Sequence, residues 1–115
     1  MSKLVAIYKQ PPDAAAFEES YFKTHIPLLA KVPGLQKTVI TRFTRTVMGE
    51  GNLLMAEMYF ADKDALKAAM RSPEMAAAGE NLNSFAEGLV TLAFGEEEKT
   101  ASNPASGSFI PQQSS

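Results

Sequence analysis

The sequence predicts an α+β domain of order strand–helix–strand–strand–helix–strand. Three observations predict it. Four short runs rich in branched and aromatic residues stand at 3–9, 35–45, 53–60 and 89–94, and two longer stretches between them repeat their apolar residues at helical spacing. Pro and Gly punctuate the joints, at Pro11-Pro12, Pro33-Gly34, Gly49, Gly51, Pro73 and Gly88. Three of the four strand-like runs are apolar on both faces, so the sheet they form needs cover on both sides.

The first run, 3–9 (KLVAIYK), has the length and Val/Ile/Tyr content of a buried strand, and Pro11 and Pro12 stop it. Asp13 is then a good N-cap for a first helix, which ends near Val32 because Pro33-Gly34 forbids continuation. Residues 35–45 (LQKTVITRFTR) alternate in polarity and read as a less buried strand. A hairpin loop over 46–52 leads into 53–60 (LLMAEMYF), which carries a single charge, Glu57. Asp62 caps a second helix with Leu66, Ala69 and Met70 on its apolar side. Ser72-Pro73-Glu74 restarts it, with Ser72 as N-cap and Pro73 at the first helical position. Met75, Ala78, Leu82, Phe85 and Ala86 form the buried stripe, Gly88 ends the helix, and 89–94 (LVTLAF) is the last strand.

This order is the ferredoxin-like βαββαβ pattern with a four-stranded antiparallel sheet. Its helices cover one face only. The other face would leave several hundred Å² of apolar sheet in water, more than monomers usually expose. A homodimer packed through the open sheet face is the expected remedy. The domain spans 1–98. The Ser/Pro-rich tail 99–115 (KTASNPASGSFIPQQSS includes its first residue Lys99) is expected to be flexible, with no core of its own.

Composition narrows the function classes. The chain of 115 residues suits one domain, and its net charge of −2 is spread without a basic stripe, so nucleic acid is not an expected partner. It has no cysteine, which removes disulfides, thiolate catalysis and Cys-ligated metal. One histidine cannot make the usual transition-metal set, so no metal site is expected. No phosphate loop, dinucleotide fingerprint or nucleophile elbow is present, and no bound cofactor is expected. The apolar run at 4–8 is too short for a signal peptide, and no run approaches a membrane span. A cytoplasmic protein is expected.

The chain is organised around 17–33 (FEESYFKTHIPLLAKVP). At roughly 100° per residue, Ala14, Phe17, Tyr21, His25, Leu28 and Leu29 share one stripe, with Phe22 at its edge. The only histidine therefore sits on a buried face, and Pro27, which has no N–H, frees the carbonyl of Lys23. The spacing Tyr-Phe-x-x-His-x-Pro-Leu at Tyr21, Phe22, His25, Pro27 and Leu28 resembles the signature of the EthD family. The resemblance runs in order and spacing over roughly residues 3–95. It implies a small dimeric protein whose sheets pair as a dimeric α/β barrel. It also implies a link to ether degradation, hence an oxidoreductase label, or to the decarboxylases and cyclases of aromatic polyketide pathways.

Four groups are candidates for chemistry. A neutral His25 can accept or give a proton near neutral pH, although a lone histidine on an apolar helix face is often only core. Glu57 sits mid-strand among apolar residues, where a carboxylate needs a partner. It is read either as orienting His25 across the helix–sheet gap or as a structural ion pair with Arg42 or Arg45. Tyr21, one turn before His25, is the preferred phenol; Tyr59 and Tyr8 are the others, and Tyr59 shares the face of Glu57. Phe17, Phe22, Met55 and Phe85, with Tyr59, would wall an apolar substrate pocket. The expected function is a cofactor-free enzyme (isomerase, cyclase, decarboxylase or ether-degradation-associated oxidoreductase) in which His25, Tyr21 and Glu57 act on an apolar or aromatic carbonyl compound. The alternative is a non-catalytic dimeric ligand-binding or accessory protein of a catabolic pathway.

Overall fold

In the computed structural model, which describes residues 1–98, four strands form one antiparallel sheet in the order β2-β3-β1-β4. The expectation for the tail 99–115 lies outside the described residues. The central strands are β1 (Ser2–Lys9) and β3 (Asn52–Phe60); β2 (Lys37–Arg42) and β4 (Val90–Glu96) are the edges. The helical elements are α1 (Ala14–Ser20), a π-helical turn (Tyr21–His25), α2 (Ile26–Leu29), α3 (Lys63–Met70) and α4 (Pro73–Ala86). The three caps read from the sequence form. Asp13 accepts from the Ala16 N–H at 3.1 Å, Asp62 from Ala65 at 2.8 Å, and Ser72 from Met75 at 3.1 Å.

Register assigns each strand residue to a face. Leu4, Ala6 and Tyr8 of β1 stand opposite Met58, Ala56 and Leu54 of β3, and all six are buried beneath the helices. Leu54 and Phe60 are wholly enclosed, and each buried side chain of this size contributes about 1.5–3 kcal/mol. Lys3, Val5 and Ile7, opposite Tyr59, Glu57 and Met55, occupy the other face, where they are only half-buried.

Three expectations about elements are corrected. The first helix is not one α-helix ending near Val32. It widens at Tyr21–His25, where the Ile26 N–H reaches back to the Tyr21 carbonyl, and its last α-segment ends at Leu29. Pro27 explains the widening: its ring would press on the Lys23 carbonyl in a regular α-turn, and a π-turn makes the room. The second strand is shorter than 35–45, since nothing packs over 43–50 and the ladder closes soon after Arg42. The fourth strand is not covered on its helix side. Leu92 is 52% and Phe94 62% exposed, because the helices lie over β1 and β3 and leave this edge open. Among the described residues, no helix is long and apolar enough to cross a membrane.

Candidate functional site

The helical segment from Phe17 to His25 lays a column of rings on the central strands. Phe17 stacks on Tyr21 with centroids 5.9 Å apart, and Tyr21 on His25 at 5.5 Å. Tyr8 meets this column edge-on from β1, 5.1 Å from Tyr21 and 5.5 Å from Phe17. Phe85 of α4 closes it from the side, 5.3 Å from Phe17 and 6.1 Å from His25. Edge-on and offset contacts of this kind suit the ring quadrupoles.

Beside the column lies a hollow of about 260 Å³. Tyr8, Tyr21 and His25 form its polar wall, and hydrocarbon forms the rest, with Leu29, Met58, Met70, Met75, Leu82 and Leu92 prominent. The hollow is slightly below the size range of ordinary ligand pockets, roughly 300 Å³ and up. It is unsealed toward Leu92 on the exposed edge. Three methionines make its wall adjustable and offer sulfur to an aromatic guest.

The electrostatics follow from burial. Desolvation lowers the His25 pKa, opposed weakly by Asn81 and the Ala78 carbonyl of α4, so the ring is neutral at pH 7. Desolvation raises both phenols: Tyr21 is pushed up to about 12, with Tyr8 opposing the shift, and Tyr8 is raised further. Both hydroxyls therefore keep their protons. Among the described residues, the Tyr21 hydroxyl, His25 Nδ1 and Asn81 Oδ1 are sealed from solvent without a hydrogen bond of full geometry. Such orphans are uncommon in a folded interior.

Not all the expected residues converge here. His25 and Tyr21 line the hollow; Phe17 and Phe85 stand behind them as packing. Glu57 is on the opposite face of the sheet, between Val5 and Val39 in register, and its carboxylate pairs with Lys3 Nζ at 2.8 Å. The expected pairing of Glu57 with His25 is therefore excluded. The alternative pairing with Arg42 or Arg45 is corrected too, since Arg42 is held by Glu18 of α1 in a two-pronged contact. Tyr59 and Met55 share the face of Glu57 and are not pocket residues; Lys3 and Lys37 lie 5.2 and 4.8 Å from the Tyr59 ring centre. Phe22 points outward, 39% exposed beneath the Arg42 guanidinium.

The parity of the residues carried a usable signal for Glu57. In β1 and β3, the alternating sets holding Lys3 and Glu57 are the only ones with charge, and those sets belong to the less covered face. Asn81 and Met58 are absent from the expected site, and Met70 and Met75 are expected only as packing, not as pocket wall. Asn81 interrupts the Ala78–Leu82–Phe85 stripe, a polar residue beside a buried face. Among the described residues, no three His, Cys, Asp or Glu side chains gather as a metal site.

Comparison with known proteins agrees with this geometry. Residues 9–88 match the family model described as the EthD domain. A Rhodococcus erythropolis protein, described as an uncharacterized 11.0 kDa protein in the thcB-thcC intergenic region, is 31% identical over 102 residues, covering 85% of this chain and 96% of that one. The crystal structure of an ethyl tert-butyl ether d (EthD) family protein from Bacillus halodurans C-125 superposes with TM-score 0.80 at 48% identity, covering 84% of this chain and 98% of that one. Two more distant structures share the fold. SnoaB, a cofactor-independent oxygenase from Streptomyces nogalater, gives TM-score 0.64 at 18% identity, over 86% of this chain and 94% of its own. A dimeric protein of unknown function and ferredoxin-like fold from Bacteroides fragilis gives 0.60 at 21%, over 84% and 95%.

Proposed function

This chain is a member of the EthD family, and on that premise we propose that the hollow beside His25 binds a small apolar or aromatic carbonyl compound and that His25 moves a proton on it. The observation that carries the reading is the contrast within the hollow: a neutral imidazole and two protonated phenols form one wall, and hydrocarbon forms the others. A cofactor-free pocket of this kind suits isomerase, cyclase or decarboxylase chemistry, in which a proton leaves one atom and returns to another. The proposed working form is a cytoplasmic homodimer joined through the open sheet face, where Val5, Ile7 and Met55 lie half-buried in the single chain. The dimeric relative from Bacteroides fragilis supports the pairing, at an identity that speaks for fold alone. The oxygenase activity of SnoaB belongs to that protein; an oxidoreductase role here would need the substrate itself to supply electrons to O₂.

The test uses three two-ring probes, naphthalene, 1-naphthol and 1-tetralone. Wild type should bind them and should speed exchange of the α-hydrogens of 1-tetralone with D₂O, followed by NMR. His25→Ala should keep its fold, lose the exchange and weaken binding of 1-naphthol and 1-tetralone by roughly tenfold, or about 1.4 kcal/mol. Equal binding by both proteins, with only a lower melting temperature for the variant, would leave His25 a packing residue. The second reading is a non-catalytic ligand-binding protein. The observation on its side is Glu57, whose carboxylate is paired on the far face and gives the imidazole no help.

A further inference from the structure

The proton on His25 has two possible seats, and they imply opposite chemistry. A neutral imidazole carries one N–H and one lone pair. Whichever nitrogen faces the hollow is a donor in one tautomer and a base in the other. The two nitrogens have different surroundings. Nδ1 is sealed from solvent and unpartnered, Nε2 is not among the atoms enclosed in that way, and the ring borders the hollow. The Asn81 side chain and the Ala78 carbonyl of α4 adjoin the ring, and the Asn81 Oδ1, like Nδ1, is sealed and without a partner.

We infer that Asn81 is a positioning residue that holds the His25 proton on Nδ1, leaving the Nε2 lone pair to act as a base in the hollow. The inference rests on the reading of that hollow as a ligand site. Two features of the α4 side argue for it. An imidazole nitrogen and an amide oxygen, both enclosed and both unpartnered, satisfy each other if the nitrogen carries the proton. A side-chain amide could also turn its NH₂ toward the ring and favour the other tautomer. The Ala78 carbonyl breaks that symmetry, because it has only lone pairs and can only accept. An acceptor that cannot turn away favours an N–H on the side of the ring that faces α4, which the inference places at Nδ1.

The consequence is a ligand class. A base at Nε2 recognises a compound that offers an acidic hydrogen: a phenol, an enol, or a carbonyl compound with a hydrogen on the adjacent carbon. In the step, the ligand's C–H or O–H bond breaks and an N–H bond forms at Nε2. The electron pair left behind settles on the ligand oxygen, and the imidazole becomes imidazolium with Nδ1–H still on Asn81. Tyr8 and Tyr21 border the same hollow and keep their hydroxyl protons, so the wall around the base stays uncharged. The proton returns from Nε2 to the same or another atom of the ligand, and nothing else is consumed.

The single histidine makes the test direct. Long-range ¹H–¹⁵N correlation on the ¹⁵N-labelled full chain reads which ring nitrogen carries the proton, without any need for activity. Wild type should show a neutral ring protonated at Nδ1. Asn81→Ala should mix the two tautomers, and Asn81→Asp, which keeps an acceptor oxygen, should restore Nδ1–H. Wild type should also prefer 1-naphthol over naphthalene by about tenfold, and the Ala variant should narrow that preference to about threefold or less. A ring protonated at Nε2 in wild type, or a tautomer unchanged in Asn81→Ala, would overturn the inference. The two failures are separable. A tautomer set by Asn81 in a protein that binds no probe would sink the ligand-site reading alone. Probe binding that needs His25 but ignores Asn81 would sink this inference alone.

Discussion

The two faces of the sheet handle polar groups in opposite ways. Around the hollow under the helices, the polar side chains are two phenols and an imidazole, with an amide beside them, all uncharged at neutral pH. On the open face, Lys3 and Glu57 remain charged, pair at 2.8 Å, and keep about a fifth of their side-chain surface exposed. The difference is one of dielectric. A closed interior tolerates polarity that can shed charge, whereas a half-open face tolerates charge that is paired and partly wet. On the function proposed above, chemistry that needs a neutral base would belong to the first face, and recognition of a second copy to the second.

Three outcomes would break or sharpen that contrast. The largest concerns the open face. Ile7→Asp places a carboxylate among half-buried apolar residues there, and the dissociation constant of the proposed dimer should rise roughly 100-fold, or about 2.8 kcal/mol at 1.4 per decade. Sedimentation velocity should show monomer while circular dichroism stays native; an unchanged dimer would remove this face from the interface.

The next concerns the closed face and pH. The folded His25 pKa lies below its unfolded value of about 6.5. As pH falls below that value, the unfolded chain takes up the proton first, so stability present above pH 6.5 is progressively lost. Urea melts at pH 7.5 and 5.0 should show this loss in wild type and a smaller one in His25→Gln. Identical losses would mean that the imidazole is not held neutral by burial.

The smallest effect belongs to Glu57→Gln. An ion pair this open is worth about 0–1 kcal/mol, and 1-naphthol binding by the variant should stay within about twofold of wild type. A loss matching that of His25→Ala would show that the two faces communicate.

Much of the local structure was legible from neighbouring residues alone. The three caps at Asp13, Ser72 and Asp62 depend on a side chain and an N–H three residues on, so short-range pattern suffices. The stop was less so: Gly34 takes the left-handed conformation with φ 81°, but the helix has already ended at Leu29, ahead of Pro33-Gly34. The π-turn was half legible. Pro27 signalled a disturbed helix, but whether the helix kinks, breaks or widens depends on the Tyr21 and His25 rings that must stay on the core.

The sequence by itself determined the order of elements, the buried stripe holding Tyr21 and His25, and the family signature around them, because periodicity and spacing are written along the chain. The tertiary structure alone decided which alternating set of each strand turned toward the helices, and so sent Glu57, Tyr59 and Met55 to one side and Met58 to the other. It alone set Asn81 against the imidazole. The physical reason is that alternation divides a strand into two faces, and a single charge such as Glu57 hints at the less covered one without saying what will cover either. That choice is made by helices distant in sequence, through the apolar area they bury.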